Sequence, residues 1–332
     1  MAPSFDADSH VPLPLLAVRG VVGGVLMGLA NLVPGISGGT MLLAAGVYPR
    51  FIKAIAEVST FKFRLPSVVV LGAVVVAAAL GILLLAGTIK DLVVNERWIM
   101  YSLFIGLTLG GLPVVWRMAR PASPALWGGA VAGFIAMAVL ALAQQSGAGE
   151  SGAGGTSFVM LFVAGLAGAS AMILPGVSGG YLLLVLGQYV PILSGIDTFK
   201  EALKARDMAA AMEPAIAVVL PVGIGVVAGV VGVSNLLKWL LARYEKATLG
   251  VLLGLLLGAV VGLWPFQAGV EPVPGETVIK GQVVTAETLA EVDPEDWPVA
   301  YFTPTGGQMG GSIGLILLGI LVTTAVARFG AE

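Results

Sequence analysis

The sequence has no cysteine, a single histidine and few charged residues. The absence of cysteine from these 332 residues excludes disulfides, thiol nucleophiles and Cys-ligated metals. The single histidine, His10, lies in a polar stretch near the N-terminus, which excludes most His-dependent catalysis. Charged residues make up 11% and hydrophobic residues 58% of the chain, whereas soluble domains carry roughly a quarter charged residues. The composition therefore predicts an all-α polytopic membrane protein.

Motifs for catalysis or nucleotide binding are also missing. The sequence contains no Walker loop and no residue spacing typical of a metal site. Gly-x-Ser-x-Gly occurs at residues 35–39, 176–180 and 310–314, but within apolar runs and not at the strand-to-helix turn of a nucleophile elbow. Its net charge of -2 gives no case for a nucleic-acid partner. We expect a protein that is not an enzyme and that has no cofactor and no metal.

Two related motifs interrupt the apolar runs. PGISGG occupies residues 34–39, and PGVSGG occupies residues 175–180, 141 residues later. Pro34 and Pro175 cannot donate a backbone hydrogen bond, and the glycines allow sharp turns and close backbone approach. Ser37 and Ser178 are placed to cap a new helix after each break. Such breaks can serve helix packing alone, but two matched copies favour a transporter binding site.

The motifs divide the chain into two repeats. Each repeat is predicted to hold one broken, re-entrant helix pair and three transmembrane helices. The predicted units are a polar tail at 1–14, a first repeat at 15–143, a Gly/Ser linker at 144–157 and a second repeat at 158–332. The predicted arms of the broken pair are 15–33 and 37–55 in the first repeat, and 158–174 and 178–196 in the second. A polar stretch follows the second pair at 197–213. The predicted intact spans are 66–89, 98–118, 124–143, 214–241, 246–265 and 309–329.

The repeats are expected to be inverted relative to each other. A broken pair returns to the side where it started, so each repeat crosses the membrane an odd number of times. Eleven of the 17 Lys and Arg residues lie at span ends on the side of the membrane that holds the N-terminus. Because Lys and Arg are enriched in cytoplasmic loops, this bias predicts cytoplasmic N- and C-termini. The loop at about 266–308 would then lie outside, with a small hairpin around residues 280–281.

The broken pairs offer chemistry suited to an anion. In inverted repeats, the half-helices after the breaks would point their N-termini at each other, presenting unsatisfied N–H groups and partial positive charge. An ionised lipid phosphate does not cross hydrocarbon unaided, because its desolvation is very costly. The predicted phosphate-binding residues are Ser37, Gly38, Gly39, Thr40, Ser178, Gly179, Gly180 and Tyr181, with supporting roles for Asn31, Pro34, Gly35, Pro175 and Gly176.

Charged residues at the span ends are candidates for contacting a headgroup or for coupling transport to an ion. Arg97 and Arg117 are candidates for a gate that meets a headgroup, although positive-inside or solvated roles also fit them. Coupling to protons or to another ion stays open, and the candidate carboxylates are Glu57, Asp91, Glu96 and Glu213.

NLVPGISGGT at residues 31–40 with GVY at 46–48, and ILPGVSGGY at 173–181 with GQY at 187–189, resemble a known set of motifs. They are similar to those of the bacterial and archaeal polyprenyl-phosphate transporter family, formerly a domain of unknown function. The resemblance covers nearly the whole chain. Gly180 stands where members of that family often have serine, which leaves only a backbone amide at this position.

The resemblance implies a flippase in the bacterial cytoplasmic (inner) membrane. Its substrate would be undecaprenyl phosphate or a related polyprenyl phosphate, moved from the outer to the inner leaflet and so recycled for cell-envelope synthesis. The isoprenoid tail would stay in the surrounding membrane lipid. The alternative is a secondary transporter of a small soluble anion through the same midplane site. A phosphatase acting on polyprenyl diphosphate lacks a usable histidine or metal cluster.

Overall fold

The structure is a computed structural model that describes residues 12–31, 37–145, 157–279, 282–292 and 297–328. The described chain is mostly helical. The helices of the first half are α1 (Leu13–Asn31), α2 (Gly38–Ala44), α3 (Tyr48–Ser59), α4 (Leu65–Asn95), α5 (Arg97–Ala119) and α6 (Pro124–Gln145). Those of the second half are α7 (Phe158–Ile173), α8 (Gly179–Val185), α9 (Tyr189–Lys204), α10 (Met208–Pro214), α11 (Leu220–Arg243), α12 (Glu245–Gly262) and α13 (Gly306–Arg328).

Helices occur at all of the predicted membrane spans. Among the described residues, six helical segments are long and apolar enough to cross a membrane, and they are Leu13–Asn31, Leu65–Ile82, Arg97–Ala119, Met208–Arg243, Glu245–Gly262 and Gly306–Ala325. Two shorter apolar segments are Pro124–Leu140 and Phe158–Ile173. The fold is therefore that of a multi-pass helical membrane protein.

The second arm of each broken pair is not the single helix predicted from the sequence. A turn at Gly46, with φ of +67°, separates α2 from α3, and a turn at Gly187, with φ of +64°, separates α8 from α9. The Val47 N–H reaches back to the Leu42 carbonyl, a hydrogen bond typical of a glycine-terminated helix. The prediction of unbroken helices over 37–55 and 178–196 was wrong because these matched glycines end the first short helix.

Smaller differences concern the connections. Helix α6 continues to Gln145, and Ser157 caps α7 by accepting a hydrogen bond from the Met160 N–H. Of the predicted linker, residues 146–156 lie outside the described residues. The polar stretch at 197–213 is divided between the end of α9 and α10, and a π-helical turn at Ala215–Val219 leads into α11.

Glycines let the first and fourth helices of the first half pack closely and in parallel. Gly20 of α1 lies against Ala73 of α4. Two turns further along α1, Gly28 lies against Ala78. The bare backbone allows this approach, as is common between membrane helices. Because α1 and α4 run in the same direction, the chain between them returns to the end of the bundle where α1 begins.

The second half repeats this arrangement. Gly225 of α11 lies against Phe162 of α7, and Gly229 lies against Leu166, so these two helices are also parallel. Between the halves, α6 packs along α12 and α5 packs along α13. In both of those pairs, glycines further along one helix contact residues further along the other, so the two helices of each pair are parallel.

The helices share a common end, which we call the α1-start end. One buried cluster joins residues near the starts of α1, α4, α6 and α12 to residues near the ends of α5 and α11, namely Leu16, Val70, Leu126, Leu249, Ala119 and Leu241. The Lys246 ammonium at the start of α12 also donates hydrogen bonds of 2.7 Å to the carbonyls of Ala119 and Arg120. It follows that α1, α4, α6 and α12 run one way, whereas α5, α7, α11 and α13 run the other way.

Two short antiparallel sheets lie in the loop between α12 and α13. The strands are β1 (Gln267–Gly269), β2 (Val278–Ile279), β3 (Gln282–Val283) and β4 (Val299–Tyr301). Pairing of β2 with β3 confirms the predicted hairpin, although its turn residues 280–281 lie outside the described residues. Pairing of β1 with β4 joins the two ends of the loop.

Candidate functional site

The two breaks contact each other inside the helix bundle. The Ser37 hydroxyl, just before α2, donates a hydrogen bond of 2.8 Å to the Leu174 carbonyl, just after α7. In the other direction, the Gly176 N–H donates to Thr40 Oγ1, also over 2.8 Å. Ser37 is 4% and Thr40 1% exposed. Motif residues from the two halves are therefore direct neighbours, and we call this contact region the break junction.

Tyr48 is a further member of the break junction. Its phenol donates a hydrogen bond of 2.9 Å to the Ile173 carbonyl, and its side chain is fully buried. Tyr48 was not among the site residues predicted from the sequence. The available signal was the matched pair Tyr48 and Tyr189, each following a break by the same number of residues.

Close backbone approach at the junction depends on glycine. A Cβ atom on Gly39 would lie 2.8 Å from the Ile173 carbonyl oxygen and 3.1 Å from that of Met172. Both neighbours are backbone atoms, so neither can move aside cheaply. Gly39 is thus required for α2 to pack against the end of α7.

Gly176 of the second break is constrained in two ways. Its φ of +88° lies in the left-handed region, which favours glycine. A Cβ atom there would also lie 2.5 Å from the Leu255 carbonyl oxygen of α12. Pro175, Gly176 and Ser178 are all buried. The second break is therefore held between α2 and α12.

The prediction that Ser37 caps the following helix was wrong. Ser37 occupies the N-cap position of α2 with an extended backbone, but its side chain makes no capping hydrogen bond. The hydroxyl donates instead to the Leu174 carbonyl, because the last carbonyls of α7 have no partner within their own helix. The hydroxyl therefore joins the two breaks and does not support α2 alone.

The other predicted site residues are placed as follows. Asn31 ends α1, and its amide lies close to Gly38, where an added Cβ would be 3.0 Å from Asn31 Oδ1. Gly179 packs against the Gly168 backbone, whereas Gly180 is exposed. Pro34, Gly35 and the side chain of Tyr181 lie outside what the structure describes.

Arg97 and Arg117 are not brought together. They lie near opposite ends of α5, about 30 Å apart at 1.5 Å per residue. The Arg97 guanidinium lies 5.9 Å from the centre of the Tyr101 ring. The Arg117 Nε donates a hydrogen bond of 3.3 Å to the Pro113 carbonyl. These two cations therefore cannot contact one headgroup at the same time.

The break junction offers neutral hydrogen-bonding groups. Hydroxyls of Ser37, Thr40 and Tyr48 and the backbone N–H of Gly176 are concentrated there. Within the described ranges, no group of three or more potential metal-ligating side chains lies together. Chemically, such an arrangement can bind an anion by hydrogen bonds that compete with those between the two breaks.

Comparison with known proteins gives consistent matches. A family model described as undecaprenyl phosphate translocase-like matches residues 27–277, which include both breaks. The chain is 29% identical over 267 residues to a polyprenyl-phosphate transporter of Vibrio cholerae serotype O1, covering 74% of this chain and 76% of that protein. It is 29% identical over 255 residues to a polyprenyl-phosphate transporter of Staphylococcus aureus, covering 74% of this chain and 85% of that protein. No solved structure matches the chain.

Proposed function

The chain belongs to the undecaprenyl phosphate translocase-like family, and on this premise we propose that it is a polyprenyl-phosphate transporter that flips its lipid from the outer to the inner leaflet. The returned carrier would be used again in cell-envelope synthesis. The similarity to two polyprenyl-phosphate transporters supports the substrate class. The protein would act in the bacterial cytoplasmic (inner) membrane, as a transporter without a catalytic step.

The observation that carries this proposal is the contact between the two breaks. Hydrogen-bonding groups from both halves converge where Ser37 meets Leu174 and Thr40 meets Gly176. A phosphate crossing hydrocarbon needs such groups to replace its water, since an unpaired buried charge is very costly. The proposed phosphate-binding residues are Ser37, Gly38, Gly39, Thr40, Ser178, Gly179, Gly180 and Tyr181, while the isoprenoid tail remains in the lipid.

Phosphate binding would separate the breaks. In the structure the hydroxyls of Ser37 and Thr40 are bonded to neutral backbone groups of the other half. A neutral hydrogen bond contributes about 0.5–1.5 kcal/mol net, and one to a charged group about 1.5–3 kcal/mol. A phosphate can therefore compete for these hydroxyls, and the arrangement with the breaks joined would be the state without substrate.

Opposite helix directions support alternating access by an inverted repeat. Helices α1, α4 and α6 run opposite to α7, α11 and α13, and α5 runs opposite to α12. Rocking one repeat against the other would expose the break junction to each side in turn. The Lys and Arg bias supports a cytoplasmic location for the α1-start end.

Leaflet-resolved transport in proteoliposomes tests the proposal. Purified protein would be reconstituted with a polyprenyl phosphate, and its appearance in the opposite leaflet followed with and without a pH gradient. We expect transport above that of empty liposomes. Movement of inorganic phosphate without movement of the lipid would instead favour a small-anion transporter. Release of phosphate from polyprenyl diphosphate would contradict a purely transporting role.

A further inference from the structure

Arg97, the first residue of α5, lies at the end of the bundle opposite to the α1-start end, because the last residues of α5 lie at the α1-start end. Its side chain is half-buried, and its Nε is out of contact with solvent and has no hydrogen-bond partner among the described residues. The preceding Glu96 is exposed, and no described carboxylate forms an ion pair with the Arg97 guanidinium. Arg97 is thus a half-buried cation without a counter-charge in the described part of the chain.

Stability does not explain a cation at this position. A buried donor of a charged group that lacks a partner is costly. The free N–H groups in the first turn of a helix carry partial positive charge, which disfavours a cation there and favours an anion. The centre of the Tyr101 ring lies 5.9 Å from the guanidinium, close to the outer limit of a cation–π interaction, so this contact compensates only weakly. The position therefore favours an anion supplied from outside the chain.

The second half of the chain shows that this helix start does not require a cation. Helix α12 begins as α5 does, after a residue with nearly the same backbone angles: φ of -132° and ψ of 46° at Tyr244, against -124° and 43° at Glu96. The first residue of α12 is Glu245, an acid, as the partial charge of a helix start favours. Arg97 is therefore particular to the first half, and the turn before α5 does not demand it.

Arg97 is connected to the first break through Tyr101. Tyr101 follows one helical turn later, about 6 Å along α5, and it is 6% exposed. It packs in one buried cluster with Met41 of α2 and Ala30 of α1. Met41 directly follows Thr40, a member of the break junction. An anion held by Arg97 would therefore lie on the approach to the break junction from this end of the bundle.

We propose that Arg97 captures the monoester phosphate of the incoming lipid before that phosphate reaches the break junction. This inference rests on the proposed function and names the residue that first recognises the headgroup. A phosphate monoester carries about -1.5 to -2 charges at neutral pH, and the planar guanidinium can bind two of its oxygens at once. With the α1-start end in the cytoplasm, Arg97 faces the outer leaflet, from which the lipid is taken. The same chemistry would bind free phosphate.

Two substitutions of Arg97 and one matched control test this role. Arg97→Gln removes the cation, whereas Arg97→Lys keeps the charge but loses the planar fork. The control is Arg120→Gln, because Arg120 is an exposed cation just beyond the other end of α5 whose guanidinium also lies 5.9 Å from an aromatic ring, that of Trp116. Binding of farnesyl phosphate, farnesol and inorganic phosphate to the full chain in nanodiscs would be measured by calorimetry. Lipid transport and thermal unfolding would be measured for the same variants.

We expect Arg97→Gln to weaken binding of farnesyl phosphate about tenfold, the loss of one charge-assisted contact, and to leave binding of farnesol unchanged. The lipid concentration for half-maximal transport should rise by the same factor, with little change in the maximal rate. Arg97→Lys should lie between Arg97→Gln and the wild type. Arg120→Gln should change binding less than about twofold, because exposed charges are screened.

Thermal unfolding without ligand separates capture from a structural role. Arg97→Gln should unfold at the wild-type temperature or higher, because it removes an unpaired cation from a helix start. A lower unfolding temperature, with equal losses of farnesyl phosphate and farnesol binding, would show a structural role and overturn the proposal. Equal weakening by Arg97→Gln and Arg120→Gln would overturn it as well, since the effect would then be one of net charge.

Other results separate the role of Arg97 from the proposed function. If the wild type transports polyprenyl phosphate and Arg97→Gln binds and transports it equally well, the capture proposal is overturned and the function stands. If the wild type does not transport the lipid but binds inorganic phosphate in an Arg97-dependent way, the proposed function fails and Arg97 stands as a site for free phosphate.

Discussion

Thr40 of the first break accepts a hydrogen bond from the Gly176 N–H of the second break, over 2.8 Å and out of contact with solvent. The two residues are 136 positions apart in the chain. This contact, with the bond from Ser37 to Leu174, makes the two breaks one structural unit. Substitutions at the break junction should therefore affect both stability and transport.

Thr40→Val should destabilise the protein because it keeps the shape of the side chain but leaves the buried Gly176 N–H without an acceptor. The expected loss is about 1–3 kcal/mol in free energy of unfolding. Thr248→Val is the control. The Thr248 hydroxyl donates to the Tyr244 carbonyl, and that carbonyl also accepts a hydrogen bond from the Thr248 backbone N–H, so it keeps a partner in the variant. Denaturant unfolding in mixed micelles measures both variants. Equal losses would contradict the importance of the contact.

Gly39→Ala should be poorly tolerated. The new Cβ would lie 2.8 Å from the Ile173 carbonyl oxygen, and overpacking of this kind costs about 1–3 kcal/mol. Gly72→Ala is the matched control, because a Cβ at Gly72 of α4 would meet no atom within 4 Å. That control should be neutral or stabilising by up to about 1 kcal/mol. Unfolding measurements on the pair check the difference, and a stable, fully active Gly39→Ala would refute the close approach.

Ser37→Leu and Ser178→Leu should abolish lipid transport, because a bulky side chain would fill the proposed phosphate position. Both serines are buried, so overpacking should also lower the free energy of unfolding by about 1–3 kcal/mol, and the yield of monodisperse protein and its unfolding temperature would show that transport is measured on folded protein. Ser194→Leu, on an exposed position of α9, is the control and should transport like the wild type. Transport by the Ser37 and Ser178 variants at full rate would show that the proposed site is wrong.

Tyr48→Phe should remove the hydrogen bond to the Ile173 carbonyl and little else. The expected cost is about 0.5–1.5 kcal/mol in free energy of unfolding, with a change in transport rate if the junction must open and close. Tyr244→Phe, at a half-exposed side chain, is the control and should lie within about 0.5 kcal/mol of wild type. A Tyr48→Phe protein as stable as this control would argue against the hydrogen bond.

Much of the fold followed from local sequence signals. Long apolar runs predicted helices at the observed positions, and the stretch TVIKGQVVTA at residues 277–286 predicted the hairpin between β2 and β3. Gly46 and Gly187 were visible as a matched pair, but their role in ending α2 and α8 was missed. An apolar run continues through such a turn, so hydropathy does not show it.

The sequence by itself determined the membrane class, the two matched breaks and the positions of the helices, because apolar length and Gly/Pro chemistry act over a few neighbouring residues. Tertiary structure alone decided that Ser37 bonds to Leu174, that Tyr48 reaches Ile173 and that Tyr101 packs in one cluster with Met41. These partners depend on which helix faces are brought together by packing over the whole bundle. Local periodicity carries no information about that choice.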